Sequence, residues 1–380
     1  MVTYDSTVTG GNGIAEPAEY ELPEGRLALA GATLSRRLEN GQGIWRLELP
    51  TPSGEPFVVE QAGGPVTPPK EVRKAIPAFL RGDGPRIVDP EAEPREEPPD
   101  DSIGRLRVVL EAQYAELLRH DPAVRLDLDA EAVHGMRVAT RRARAVLHAA
   151  RPILDRAWSE PLRDELKWLG ASLGRRRDLD VLIRRLQKQI EQLDQPERTA
   201  ADALLEVLAA ERQTAQALAV DALSSDRYFS LLDQLESAAR GPRVQLGEVS
   251  LRELAGREFA RLRKRADGLD PDASDEDLHR ARIAGKRARY AAEFAAPEVG
   301  KRAEKFVKRA KDFQDVLGAH QDAIVAEAHL RGLLADASTA GAAFAAGRLV
   351  EGERTRRREA RTRLPKAWRA LRRAGKAAWE

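Results

Sequence analysis

One pattern is written into this chain twice. Val133 to Leu147 (VHGMRVATRRARAVL) aligns with Leu278 to Ala292 (LHRARIAGKRARYAA) 145 residues later, and six of the 15 positions are identical. The identities pair His134 with His279, Arg137 with Arg282, Ala139 with Ala284, Arg142 with Arg287, Ala143 with Ala288 and Arg144 with Arg289. Arg141 facing Lys286 keeps its charge. A second block, Leu169 to Val181, aligns with Phe313 to Val325 at an offset of 144, matching Leu173, Gly174, Asp178 and Val181 to Leu317, Gly318, Asp322 and Val325. Lys167 and Lys311 fall at the same offset. Two blocks in one order at nearly one spacing imply an internal duplication. The chain is then expected to build two similar units, residues 103–240 and 248–378, separated at Gly241-Pro242 to Gly247.

Both units read as helical. Ala, Leu, Arg and Glu dominate residues 101–380, and these side chains lose little entropy in a helix. The periodicity places helices at about 103–119, 130–151, 157–193, 197–222 and 226–239, then 250–266, 274–295, 299–335, 339–363 and 365–378. The expected architecture is mainly all-α, two bundles related by a pseudo-twofold. The residues before it have another texture. A polar, Gly-rich leader over 1–19 reads as disordered. Residues 20–90 alternate in short apolar stretches punctuated by Asn40-Gly41, Ser53-Gly54 and Gly63-Gly64, a small antiparallel β segment with a short helix near Lys70 to Arg81. The acidic, Pro-rich stretch 91–102 reads as a linker.

Charge is distributed unevenly. The formal net charge is only +2, but residues 1–100 hold 10 of the 63 basic and 17 of the 61 acidic side chains, so the helical part carries the positive excess. Val133 to Leu154 contains no acidic residue, and neither does Leu278 to Ala292. At 100° per residue, His134, Arg137, Arg141, Arg144 and His148 fall within an arc of about 80°. The repeat does the same with His279, Arg282, Lys286 and Arg289. A solvated face interleaves Glu with Lys or Arg at i,i+4 for a few tenths of a kcal/mol per pair. Here like charges stand at that spacing, as in Arg137 with Arg141 and Arg282 with Lys286.

Uncompensated stripes of this kind call for an anion. Arg offers planar forks to phosphate oxygens, Lys a compact charge, and His a donor that turns cationic when a phosphate raises its pKa. Lys167, Arg175, Arg176, Arg177, Lys308, Lys311 and His320 extend the lining onto the next helix of each half. If the halves face each other, the stripes wall one positive groove. Nucleic-acid recognition would ask for stacking platforms or base-reading Asn and Gln, and the basic helices offer one aromatic, Tyr290, and no Asn. The C-terminal run Glu353 to Arg373 reads either as a charged amphipathic helix or as a further hold on long polyanions.

Other classes recede. With no Cys there is no disulfide, thiolate metal site or Cys nucleophile. Crowding by Arg opposes a metal at His134, His279, His320, Asp178 or Asp322. Gly174 and Gly318 read as close-packing or helix-break positions, and His329 as a surface residue. No apolar run reaches the roughly 18 to 20 residues of a membrane span, and the amino terminus lacks a basic-then-apolar signal, so a cytoplasmic location without membrane partners is expected.

The paired His-x-x-Arg-x-x-x-[Arg/Lys]-Arg-x-Arg helices at 134–144 and 279–289, with the Leu-Gly-x-x-x-Asp elements at 173–178 and 317–322, resemble the CHAD family, the conserved histidine α-helical domain. The resemblance covers about residues 103–378. It implies two four-helix bundles with a basic central cavity, binding of inorganic polyphosphate and recruitment to polyphosphate granules, without catalysis or a cofactor. By position it assigns the ligand path to His134, Arg137, Arg141, Arg144, Lys167, His279, Arg282, Lys286, Arg289 and Lys311; Arg142, His148, Arg176, Arg177, Arg287, Lys308 and His320 join the candidate polyphosphate site as further cations of the same basic helices. Such domains often follow a CYTH, or triphosphate tunnel, domain, and Thr33 to Pro50 is similar to its middle strands. The Glu-x-Glu-x-Lys hallmark stands here as Glu19-Tyr20-Glu21-Leu22-Pro23, with Pro where the Lys belongs, so residues 20–90 read as a truncated, catalytically dead remnant. The competing readings are a nucleic-acid-binding helical protein and a metal-dependent triphosphate hydrolase.

Overall fold

The computed structural model describes residues 18–22, 25–51, 54–81, 86–87, 101–245, 250–270, 272–335 and 339–380. The expected leader, up to residue 17, and most of the expected linker, 91–100, lie outside the described residues. The chain is mainly helical, with a small sheet at its beginning. That sheet is antiparallel, ordered β4-β3-β2-β1-β5, from β1 (Ala18–Glu21), β2 (Thr33–Glu39), β3 (Gln42–Leu49), β4 (Phe57–Ala62) and β5 (Arg86–Ile87). Asn40 and Gly41, both at positive φ, form the tight turn that joins β2 to β3 and sets the register Glu39 opposite Gln42. Two short helices, α1 (Arg26–Ala30) and α2 (Lys70–Ala75), cover its apolar face. Among the described residues the sheet is open, with β4 and β5 at its edges, whereas a tunnel requires closure. A small β segment is therefore established and the triphosphate-tunnel resemblance is not.

The helices follow as α3 (Ser102–Arg125), α4 (Ala130–Ala149), α5 (Arg156–Ser172), α6 (Gly174–Ile190), α7 (Gln195–Leu223), α8 (Asp226–Arg240), α9 (Leu251–Ala266), α10 (Asp275–Val299), α11 (Lys301–Ala335) and α12 (Ala340–Trp379). Their starts keep the 145-residue offset of the sequence repeat: α4 and α10 begin at 130 and 275, α5 and α11 at 156 and 301, α7 and α12 at 195 and 340. The caps keep it too. Asp129 and Ser274 each accept a backbone N–H of the first turn that follows them.

Several boundaries differ from the periodicity: α3 runs on through Pro122 to Arg125, past the expected 119, and α10 through Pro297 to Val299, past 295. The helix expected over 157–193 breaks at Leu173, giving α5 and α6. Conversely α12 runs on through Pro365, where a break is expected. A mid-helix proline costs about 3 kcal/mol. Buried Leu364, Trp368 and Leu371 on either side of it pack with Phe259, Phe306 and Phe313, and tertiary burial of that size offsets the missing hydrogen bond.

Burial does not divide the molecule into the two halves. One core joins α3, α4, α5 and α8 to the sheet and reaches Leu251 of α9 and Phe294 of α10. A second joins α9 and α10 to the first part of α11 and the last part of α12. A third is shared: Leu179, Leu186 and Ile190 of α6 and Leu204 and Leu208 of α7 pack with Leu330 of α11 and Leu349 of α12. The expected halves, 103–240 and 248–378, therefore share buried surface. The break at Leu173 lets α6 leave the first core, and α11 and α12, at 35 and 40 residues, are long enough to serve two cores. The connection between the halves is pinned by a β-bridge from Val244 to Leu154.

Candidate functional site

The three cores leave space where they meet, and the basic stripes face into it. A cavity of about 870 Å³ is walled by α4, α6, α10, α11 and α12. Of the expected residues it takes His134, Arg141, Arg142, Arg282, Lys286, Arg289 and Lys311. A second cavity of about 620 Å³ adds Arg137, Arg175 and Asp178. Both are bounded by Arg141, Arg185, Arg282, Lys286 and Asp322, so they adjoin across a shared basic wall. Neither is lined by Phe, Tyr or Trp.

At the shared wall Arg185 is paired with Glu353 and Asp322, but the other cations have no carboxylate within ion-pair distance among the described residues. Among the described residues, Arg137, Arg282, Lys286, Lys311 and Arg363 make no ion pair. Arg137 Nη1 donates to the Gly170 carbonyl at 2.6 Å. Arg141 Nε donates to the Tyr290 hydroxyl at 2.6 Å, linking α4 to α10. The Arg289 guanidinium lies 4.6 Å from the Tyr290 ring centroid. Tyr290 thus holds two cations in place and is not a free stacking platform. The glycines of the Leu-Gly elements serve space: a Cβ on Gly174 would stand 2.9 Å from Arg137 Nη1, while one on Gly318 would meet nothing within 4 Å and point into open cavity.

Crowding shows in the titration of these groups. Burial first, then Arg282, Arg141 and Arg137, bring the Lys286 ammonium down from 10.5 to about 7, with Asp322 pulling the other way. Burial also lowers Arg137 and Arg282, which Asp178 and Asp322 respectively support. His134 is lowered by burial and by Arg177, which disfavours its cationic form in the free protein. Asp178 is raised by burial, against Arg137, with Asp322 adding to the rise. The site is short of negative charge, and its carboxylates compensate only part of it.

The remaining expected residues lie elsewhere. Arg176 is fully buried and bonds Asp180 and Asp127, the latter at 2.6 Å, as a structural ion pair. Arg177 reaches Glu131 at 3.3 Å. His320 is buried, with Arg361 Nε at 3.1 Å and Asp275 at 3.3 Å, and lines neither cavity. His279 contacts Gln321 at 3.0 Å, at the rim of the second cavity. His148 stands 3.7 Å from Glu258. Arg144 is half-buried near Arg163 and Arg287. Lys167 and Lys308 are exposed and line neither cavity. Arg287 points to a different groove on the outer side of α10.

Three contributors escaped the repeat. Arg185 bonds the buried Glu353 at 2.9 Å and lies 3.5 Å from Asp322. Arg356 and Arg363 come from α12, seven residues apart and hence on one face. That spacing was the available signal, hidden in a run where nearly every face carries Arg. His329, expected at the surface, lines the second cavity and meets Glu211 at 3.3 Å. Among the described residues no helix is long and apolar enough to cross a membrane.

Comparison with known proteins places this architecture. The uncharacterized protein Rv2226 of Mycobacterium tuberculosis (strain H37Rv) is 30% identical over 387 aligned positions, covering 95% of this chain and 72% of that protein. The uncharacterized protein MT2285 of strain CDC 1551 / Oshkosh matches equally. PptA from Streptomyces chartreusis superposes with a TM-score of 0.59 at 26% identity, over 71% of this chain and all of its own. The crystal structure of the CHAD domain from the plant Ricinus communis gives 0.54 at 25% identity, over 76% of this chain and 96% of its own. The profile of the CHAD domain matches residues 108–331, more than half of the sequence, and the chain therefore belongs to the CHAD domain family.

Proposed function

We propose that this protein binds inorganic polyphosphate in the joined central cavities and is drawn by it to polyphosphate granules in the cytoplasm. The observation that carries the reading is the convergence of Arg137, Arg141, Arg282 and Lys286, from two repeated helices, on one shared wall where, among the described residues, none of them makes an ion pair. A desolvated cation cluster is unfavourable alone and favourable around a polyanion, whose regularly spaced oxygens accept charge-assisted hydrogen bonds. Membership of the family and the likeness to PptA support the same polyphosphate-associated role. We further infer that the halves descend from one duplicated helical unit, which the repeated starts of α4 and α10, α5 and α11, and α7 and α12 support. The reading gives the chain a binding role and assigns no catalytic step to any residue.

The test is a calorimetric comparison of tripolyphosphate, longer polyphosphates, ATP and duplex DNA at matched salt. Affinity is expected to climb with polyphosphate length and to exceed that for DNA of equal phosphate number. Equal or tighter binding of DNA would overturn the choice of ligand, since unspecific phosphate contacts alone would then explain it.

The reading also sets a pH dependence. Arg282 on its own helix, Arg137 and Arg141 on α4, Arg185 and Asp178 on α6, and Asp322 on α11 surround Lys286. Below pH 7 Lys286 is charged with or without ligand. Above it the free protein has a neutral amine, and a bound polyanion restores the ammonium, so binding takes up a proton. Affinity is expected to fall by up to about tenfold per pH unit as pH rises above 7. In the free protein the sign is opposite: the unfolded chain holds the proton up to 10.5, so stability from this group rises between pH 7 and 10.5. Titrations in buffers of differing ionisation heat read the proton uptake directly, and no uptake at pH 8 would contradict it.

A further inference from the structure

A second basic groove runs along the outer side of α10. Its wider part, about 540 Å³, lies between α9 and α10 and takes Arg261, Lys264 and Arg265 from the first and Arg280 and Arg287 from the second. A narrower part of about 210 Å³ continues past the end of α4, where Arg156 lies. Both parts share Glu258 and Arg261, so they form one path. Glu258 is the one carboxylate in this lining, and it is already engaged: it is buried, bonded to Arg261 and 3.7 Å from His148. Among the described residues Arg156, Lys264, Arg265 and Arg287 make no ion pair, and all four are exposed.

This face is distinct from the central one. At 100° per residue, Arg280, Ile283 and Arg287 lie about 130° around α10 from Arg282, Lys286 and Arg289. One helix therefore carries cations to two separate spaces. The outer lining holds no Phe, Tyr, Trp, Asn or Gln; its one ring is the His148 imidazole, 3.7 Å from Glu258, and its apolar members are Ile283, Ala284, Leu254, Ala149 and Pro152. Such a surface is built to neutralise phosphate oxygens, and it lacks the Phe, Tyr or Trp platforms on which single-stranded nucleic acid stacks.

We propose that the groove between α9 and α10 is a second, independent polyphosphate site, so that one molecule holds two stretches of polyphosphate on opposite faces of α10. The choice of ligand rests on the reading of the central cavities; the existence of an outer anion site does not. Two sites on one protein tether chains to one another, and the second engagement is strengthened by the effective concentration that the first creates.

The experiment titrates a short polyphosphate into three forms of the full chain: wild type, the triple variant Lys264→Gln/Arg265→Gln/Arg287→Gln, and the central double variant Arg282→Gln/Lys286→Gln. Wild type is expected to take up about two equivalents, the triple variant about one at the central affinity, and the central variant about one at the outer affinity. The three outer side chains are exposed and unpaired, so their loss leaves folding intact. A single equivalent in wild type, or unchanged stoichiometry in the triple variant, overturns the proposal. If the triple variant loses all binding while the central variant binds like wild type, the outer site stands and the central reading fails. Tighter uptake of duplex DNA than of polyphosphate by the central variant overturns the ligand assigned to the groove.

Discussion

Replacing Arg282 and Lys286 together by Gln is expected to weaken polyphosphate binding in the central cavities by about 10² to 10⁴-fold while leaving the melting temperature of the free protein unchanged or higher. A charge-assisted hydrogen bond contributes about 1.5 to 3 kcal/mol, and two such contacts multiply to that range. The stability half of the result separates a ligand site from a structural one. Neither side chain has a carboxylate within ion-pair distance among the described residues, both are half-buried, and each is disfavoured by burial and by Arg141. Removing them relieves repulsion in the free protein and removes attraction in the complex. Reversing the charge at Arg137 and Arg282 should weaken binding further, because new carboxylates would join Asp178 and Asp322. Calorimetry reads the affinity and a thermal melt the stability. Full affinity in the Gln variant, or a large drop in melting temperature with it, contradicts the assignment.

Glu236→Ala is expected to do the reverse, lowering stability by about 3 to 5 kcal/mol and sparing polyphosphate affinity. The sheet is attached to the helical domain through a buried polar network. Arg26 on α1 bonds Glu236 on α8 at 2.9 Å, the Tyr114 hydroxyl donates to Glu236 at 2.9 Å, and Arg81 donates to Tyr114 at 2.6 Å. Arg26 and Glu236 are only 6% and 7% exposed. Deleting one partner of a buried pair strands the other charge, which costs far more than the pair itself contributes. Burial opposes the Glu236 charge, but the bonds from Arg26 and Tyr114 outweigh it and hold the carboxyl below its ordinary 4.5. The contribution is therefore present above pH 4.5 and lost as pH falls below it. Denaturant titration measures the loss, and limited proteolysis within residues 25–81 reports whether the sheet releases first. The double variant Arg26→Met/Glu236→Leu should recover most of the stability, since an apolar pair of similar volume fills the same place. Unchanged stability in Glu236→Ala would show that the apolar contacts of Tyr20, Leu27 and Phe79 suffice.

Much of this was legible because it is periodic. Helix starts at 130, 275 and 340 follow from the caps Asp129, Ser274 and Thr339 and from apolar spacing, both of which are local. The stripe residues that reach the cavity, such as Arg137, Arg141, Arg282 and Lys286, share an angular position that the helical repeat fixes. The same logic misassigned Arg176 and His320. They occupy equivalent positions in the two halves, yet one is consumed by Asp180 one turn along its own helix and by Asp127 from a distant segment, and the other by Asp275 and Arg361, both distant in sequence. A helical wheel shows which side chains share a face and is blind to what packs against that face.

The repeat, the acid-free basic helices and the family they resemble were determined by the sequence alone, since they depend on spacing along the chain. Tertiary structure decided that α6 and α7 share a core with α11 and α12, and that Arg185, Arg356 and Arg363 join the cavity. It also decided that α10 divides its cations between two grooves. The physical reason is one of range. Helical propensity and face depend on neighbours three and four residues away, whereas a cation's freedom to meet a ligand depends on whether a carboxylate from a remote helix reaches it first.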